Sequence, residues 1–163
     1  MKLNLGCGKQ ILKGYINLDI VKQKGVDVIH DINKIPYPFK PDTFDEIFCN
    51  HSLEHTFYLP EVMKELHRIS KKGCRIVVRA PYFACSGAFD NPEHKSFFTY
   101  KTFEYLQPYW GKFRTIKRSI KFSPYLPLKI FNPLFNIFPR FYERFLCFII
   151  PCSEVYYILE VIK

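Results

Sequence analysis

The sequence predicts an α/β domain built on a mostly parallel sheet. Three observations carry that expectation. Five short apolar runs are each closed by Gly, Asp, Asn or Pro, one amphipathic helical stretch separates the fourth run from the fifth, and glycine, acidic or other polar residues collect at the ends of the first four. Strand, helix and strand in that order imply a parallel crossover.

The runs are residues 2–6, 15–20, 26–30, 45–50 and 74–80, rich in Val, Ile, Leu and Phe, as strands covered on both faces are. Within 59–70, Leu59, Val62, Met63, Leu66 and Ile69 fall at helical spacing. Pro60 suits the first turn, and Lys71, Lys72 and Gly73 read as a stop. One connection resists the scheme. Residues 7–14 alone join the first two runs, whereas a parallel crossover with its helix takes about a dozen or more. The first helix is therefore expected to be shortened to a turn. Further on, 112–122 reads as a strand, 126–150 as an apolar segment interrupted by Pro133 and Pro139, and 154–162 as a closing strand. The expected organisation is a single domain over 1–163, with a loop at 84–110 and an apolar, basic helical insertion at 124–152.

Composition sets bounds on function. Apolar residues make up 48% of the chain and Gly only 7 residues, which excludes disorder and collagen-like structure. The net charge of +9 is concentrated: Lys112, Arg114, Lys117, Arg118, Lys121, Lys129 and Arg140 occur between Tyr105 and Tyr142 without one acid. An anionic neighbour or a merely solvated basic face both account for this. Of 29 aromatic residues, 17 lie between Phe97 and Phe148. Prolines and charges, among them Pro127, Lys129, Pro139, Arg140, Glu143 and Arg144, interrupt any window long enough to span a membrane. Cys7, Cys49, Cys74, Cys85, Cys147 and Cys152 form no CxxC pair, and the chain opens in a strand-like run rather than a basic-then-apolar signal segment. A cytoplasmic protein with mostly buried thiols and no metal is expected.

The chemistry gathers at the strand ends. The first run leads into Leu5, Gly6, Cys7 and Gly8, where absent side chains let backbone approach a ligand. The second ends at Asp19 and Ile20, an acid placed to accept ribose hydroxyls. The third ends at Asp31 and Ile32, and the fourth at Asn50, His51, Ser52, Glu54 and His55. Such ends converge on the crevice where open α/β sheets bind ligands. Ser52 reads as a cap for a helix that carries His55. Asp90 to His94 lies in the turn-rich loop after the fifth run.

The ordered set LNLGCGK, YINLDI, VIHDI, FDEIFCNHSLEH and KELHRISKKGCRIVVRAP resembles class I S-adenosylmethionine-dependent methyltransferases, and within them the small type 11 branch associated with glycan and cell-envelope biosynthesis. The resemblance covers roughly residues 1–107. It implies a Rossmann-like methyltransferase sheet of order 3-2-1-4-5-7-6 with the last strand antiparallel, and S-adenosyl-L-methionine as cofactor. It places Leu5, Gly6, Cys7 and Gly8 by the methionine part, Asp19 and Ile20 by the ribose, Asp31 and Ile32 by the adenine, and Asn50 and His51 under the sulfonium. His94, then His51 and Asp90, are the expected catalytic groups, because an oxygen acceptor must lose a proton. The chain departs from the family at Asn4, where an acid is usual, and at Gln10, where a third glycine is usual. The expected reaction is methyl transfer to a sugar or glycan-precursor hydroxyl. An RNA methyltransferase and a non-catalytic cofactor-binding domain stand as alternatives; nucleic acid is disfavoured because no Asn-Pro-Pro-Tyr-type tetrad follows the fourth run. For the apolar insertion, a lid over the acceptor, a homodimer contact, a peripheral contact with the inner face of the membrane, and simple core cover all stay open.

Overall fold

The computed structural model describes residues 1–105, 110–122, 130 and 132–163. Seven strands form one sheet: β1 (Lys2–Leu5), β2 (Ile16–Asp19), β3 (Val28–Ile29), β4 (Phe44–Asn50), β5 (Ser70–Pro81), β6 (Lys112–Lys121) and β7 (Glu154–Ile162). The order is β3-β2-β1-β4-β5-β7-β6, with the first five strands parallel and β7 antiparallel to both neighbours. This is the α/β Rossmann-like methyltransferase sheet that the resemblance implies.

Helix α1 (Leu59–Ile69) begins with Pro60 in its first turn, and its apolar stripe is buried against the sheet. Met63 and Leu66 have no exposed surface, so truncating either to Ala costs about 2–5 kcal/mol. The helix stops at Ile69, just before Lys71–Gly73 as expected, and those three residues form a bulge at the start of β5. Phe44 pairs with Ser70 but Glu46 pairs with Arg75, and Gly73, at φ +79°, absorbs the extra residues. The strand thus starts at Ser70, four residues before the run that hydrophobicity marks.

β1 and β2 are parallel neighbours joined by turns alone, with no helix between them. A buried amide pair holds this short crossover. Asn4 Nδ2 donates to Asn17 Oδ1 (2.9 Å) and to the Gln10 carbonyl (2.7 Å), while Asn17 Oδ1 also accepts the Leu12 amide. Asn17 Nδ2 reaches the carbonyls of Leu12 and Tyr15. A helix would satisfy its backbone groups internally; here two side chains do so, which explains why residue 4 is an amide rather than an acid.

In the C-terminal third, α2 (Thr102–Tyr105) places Phe103 against Tyr157, with ring centroids 4.7 Å apart. The insertion between β6 and β7 is helical but broken: α3 (Asn132–Ile137), then α4 (Pro139–Phe141) running into a π-turn at Tyr142–Leu146. Residues 123–129 and Phe131, with Leu126, Pro127 and Lys129 of the expected segment, lie outside the described residues. Phe135 and Tyr142 pack inward on Phe122, and Glu143 accepts the Tyr82 hydroxyl and the Tyr100 amide. In the insertion, Phe138, Phe141, Phe145 and Phe148 are exposed. The basic run is partly neutralised within the fold: Arg114 pairs with Glu160, Arg118 pairs with Glu104 and stacks on Tyr100, and Lys121 lies over Tyr156. No helix among the described residues is long and apolar enough to cross a membrane. Five of the six cysteines are buried and all are free.

Candidate active site

Parallel strands β1 to β4 end on the same side, and the loops that leave them enclose a cleft of about 540 Å³. Gly6, Gly8, Asp19, Ile20, Asp31, Ile32 and His51 line it, as the sequence reading expects. Asn33, Ser52, His55, Phe57, Glu93 and Lys95 line it too. Leu5 and Cys7 support it from behind: both are buried, and the Cys7 amide donates to the Leu18 carbonyl. Asn50 turns aside, its Nδ2 bonded to Gln10 Oε1 at 2.7 Å.

Asp19 organises the glycine turn. Its Oδ2 accepts the Gly8 amide at 2.7 Å and its Oδ1 the Val21 amide at 2.9 Å. A carboxylate has about four lone-pair positions, so two remain for a ligand. The two glycines serve different ends. Gly6 has φ +64°, and a Cβ there would stand 2.6 Å from the Ser52 Cβ, so this glycine lets the β1 and β4 loops meet. At Gly8, φ +49°, a Cβ would meet nothing within 4 Å, which leaves the open face of the turn to a ligand. Asp31 Oδ1 accepts the Asn33 amide, and Asn33 in turn joins the His55 carbonyl and the Phe57 amide. Asp31 and Asn33 thus form a turn whose Asp-x-Asn signature is visible in the sequence, although Asn33 was not singled out from it.

A second cavity of about 520 Å³ adjoins the first, and the two share His51 and His55. Its polar lining includes Asp90, Asn91, His94 and Glu154. Asp90 and His94, from the loop after β5, thus line the same cavity as His51. The His94 Nδ1 lies 3.0 Å from the Ala88 carbonyl, so in the neutral ring Nδ1 carries the hydrogen and Nε2 the lone pair.

His51 sits at φ +52°, a left-handed conformation that a non-glycine residue adopts only when its surroundings impose it. Its Nε2 faces Glu154 Oε1 at 3.2 Å and its Nδ1 faces Glu54 Oε1 at 3.3 Å. Glu154, and then Glu54, raise the His51 pKa to about 9, so the ring is an imidazolium at neutral pH and has no lone pair to take a proton. Glu154, paired with His51 and Arg79, is held down to about 2. Sequence reasoning missed Glu154 because it lies 103 residues from His51 and reaches it only through the β5–β7 pairing. Ser52 caps no helix: its side chain makes no capping bond, and only a short 3₁₀ turn, Leu53–His55, follows.

The methyltransferase-domain family model, Methyltransf_11, matches residues 16–78, from β2 into β5. No curated protein sequence matches the chain. Solved structures share the fold. An S-adenosylmethionine-dependent methyltransferase from Archaeoglobus fulgidus is 19% identical with a TM-score of 0.71, over 98% of this chain and 85% of that one. One from Mesorhizobium loti is 12% identical with a TM-score of 0.66, over 98% and 89%. The methyltransferase complex with the Trm112 activator from Haloferax volcanii is 13% identical with a TM-score of 0.63, over 98% and 81%. The family match, the strand order and the cleft at the carboxyl edge together support an S-adenosylmethionine-dependent methyltransferase.

Proposed function

We propose that the chain transfers a methyl group from S-adenosylmethionine to a hydroxyl of a small acceptor, a sugar or glycan precursor. The observation that carries this reading is the pair of cavities meeting at His51 and His55, one edged by glycine and acid, the other polar. The first fits the cofactor. Asp19 keeps lone pairs for the ribose hydroxyls, Asp31 and Ile32 line the same cleft and suit the adenine, and the open face of Gly8 has room for the methionine part. When bound, the cofactor supplies an electrophilic methyl on a cationic sulfonium. The chain's own task is then to align an acceptor and remove its proton.

The second cavity suits a hydroxyl-rich acceptor, because Asp90, Asn91, His94 and Glu154 offer hydrogen-bond partners around it. His94, with its Nε2 lone pair free of the Ala88 contact, accepts the proton, and Asp90 lies in the same cavity. The imidazolium of His51 positions the carboxylates of Glu54 and Glu154 rather than acting as base.

Calorimetry with S-adenosylmethionine and S-adenosylhomocysteine tests the cofactor half; absence of binding to either overturns it. Transfer of a labelled methyl group to sugars, nucleotide sugars and RNA tests the acceptor half, and label in RNA alone would replace the sugar reading. His94→Ala lowers turnover by about a hundredfold while sparing cofactor affinity.

The exposed rings of the insertion support peripheral contact with an anionic membrane face, where a lipid-linked acceptor would be met. Phe138, Phe141, Phe145 and Phe148 are exposed beside Arg140 and Arg144, and neither arginine pairs with an acid among the described residues. Sedimentation with anionic liposomes at low salt is the test. A protein that ignores lipid and dimerises in light scattering would give this surface to a second copy.

A further inference from the structure

Three side chains that line the second cavity form a cluster that the His51–Glu54 ion pair does not account for. Glu54, His55 and His94 each present a ligand-type atom, and these atoms all lie within 4.8 Å of one another. Glu54 is 2% exposed; its Oε1 faces His51, and its Oε2 is buried without a hydrogen-bond partner. His51 meets only Oε1, and a buried Oε2 left without a partner is destabilising unless something cationic or protic meets it. The rings of His55 and His94 meet edge-on with centroids 4.9 Å apart. His94 Nδ1 is committed to the Ala88 carbonyl, the outer contact that metal-binding histidines typically make, and this turns the Nε2 lone pair free.

From this we infer that Glu54, His55 and His94 bind a divalent transition-metal ion. The donor set, two imidazoles and a carboxylate, is that of zinc and non-haem iron sites that keep open positions. Ligands at about 2.1 Å on one tetrahedral or octahedral ion stand about 3.0–3.4 Å apart, so side-chain movements of at most about 2 Å close the set. The local backbone favours this. Glu54 and His55 are adjacent on the 3₁₀ turn, and the amides of Lys95 and Ser96 bond the Glu54 carbonyl, which ties the segment after His94 to that turn. The open positions face the second cavity, lined by Asp90 and Glu154, and take an oxygen of the acceptor. That last role rests on the methyl-transfer reading; metal binding itself does not. With the ion present, His94 is a ligand and its lone pair is no longer available to a proton, which leaves Asp90 as the group in the cavity that can take one.

The test uses the full chain stripped with chelator and titrated with Zn²⁺ alone in a calorimeter, then with Co²⁺ in a spectrophotometer. The expected result is one ion per chain, with Co²⁺ visible bands and no thiolate charge-transfer band, since no cysteine belongs to the set. Glu54→Gln and His94→Gln should each weaken binding by about a hundredfold, and Cys85→Ser should leave it unchanged. Retained S-adenosylmethionine affinity in the Gln variants shows that they are folded. Absence of stoichiometric binding, binding indifferent to both substitutions, or a thiolate band overturns the site and returns His94 to the role of base. If Zn²⁺ binds while S-adenosylmethionine does not, the metal site stands and the methyl-transfer reading fails.

Discussion

The carboxyl edge of β1 to β4 and the insertion of residues 130–150 use their surfaces in opposite ways. At the edge, short polar side chains are held by their neighbours: Asn4 by Asn17, Asp19 by the glycine turn, Asn33 by the loops on either side. In the insertion, Phe135 and Tyr142 anchor to Phe122, while Phe138, Phe141, Phe145 and Phe148 stay in solvent. The difference shows which region is built to hold a small ligand and which to meet something large. A ligand site needs fixed atoms, so its polar groups bond one another; an association surface keeps apolar area uncovered until its partner arrives.

Asn17→Ala strikes the edge hardest. It leaves the buried Asn4 amide and the Leu12 amide without their acceptor, and about 3–5 kcal/mol should be lost in urea unfolding. A cost under about 1 kcal/mol would mean that the amide pair does not hold the helix-free crossover. Gly6→Ala comes next, at about 2–3 kcal/mol, since it combines a left-handed φ with the Ser52 contact. Gly8→Ala carries only the φ penalty, about 1 kcal/mol, so equal melting temperatures for the two variants would remove the packing role of Gly6.

Asp19→Ala should weaken S-adenosylmethionine binding by about 1–3 kcal/mol in calorimetry, with a modest fall in melting temperature because the Gly8 and Val21 amides lose their acceptor. Unchanged affinity in a folded variant would remove Asp19 from the ribose site. At the other pole, a Phe141→Ser, Phe148→Ser double variant should alter stability by no more than about 0.5 kcal/mol, because both rings are exposed, while abolishing liposome sedimentation. A large stability loss there would make the insertion core cover and erase the contrast between the two regions.

Most of the sheet was legible because strands covered on both faces must be apolar, and the turns that end them need Gly, Asp or Asn. That logic located β1, β2, β4 and α1 to within a residue or two, and it placed Gly6, Asp19 and Asp31 at one edge. It shortened β5, because the bulge residues Lys71, Lys72 and Gly73 are polar and resemble a loop. It extended β3, of which only Val28 and Ile29 pair.

What the sequence determined by itself is periodic or local: the α/β class, the amphipathic face of α1, the glycine turn, and the acids at strand ends, each set by residues a few positions apart. Tertiary structure alone decided the rest. Glu154 meets His51 across 103 residues, and Asn4 meets Asn17 because two parallel strands lie side by side. Such pairs leave no periodic trace, since the energy of a buried hydrogen bond or ion pair depends on distance in space and on exclusion of water, and neither is a property of neighbouring positions in the chain.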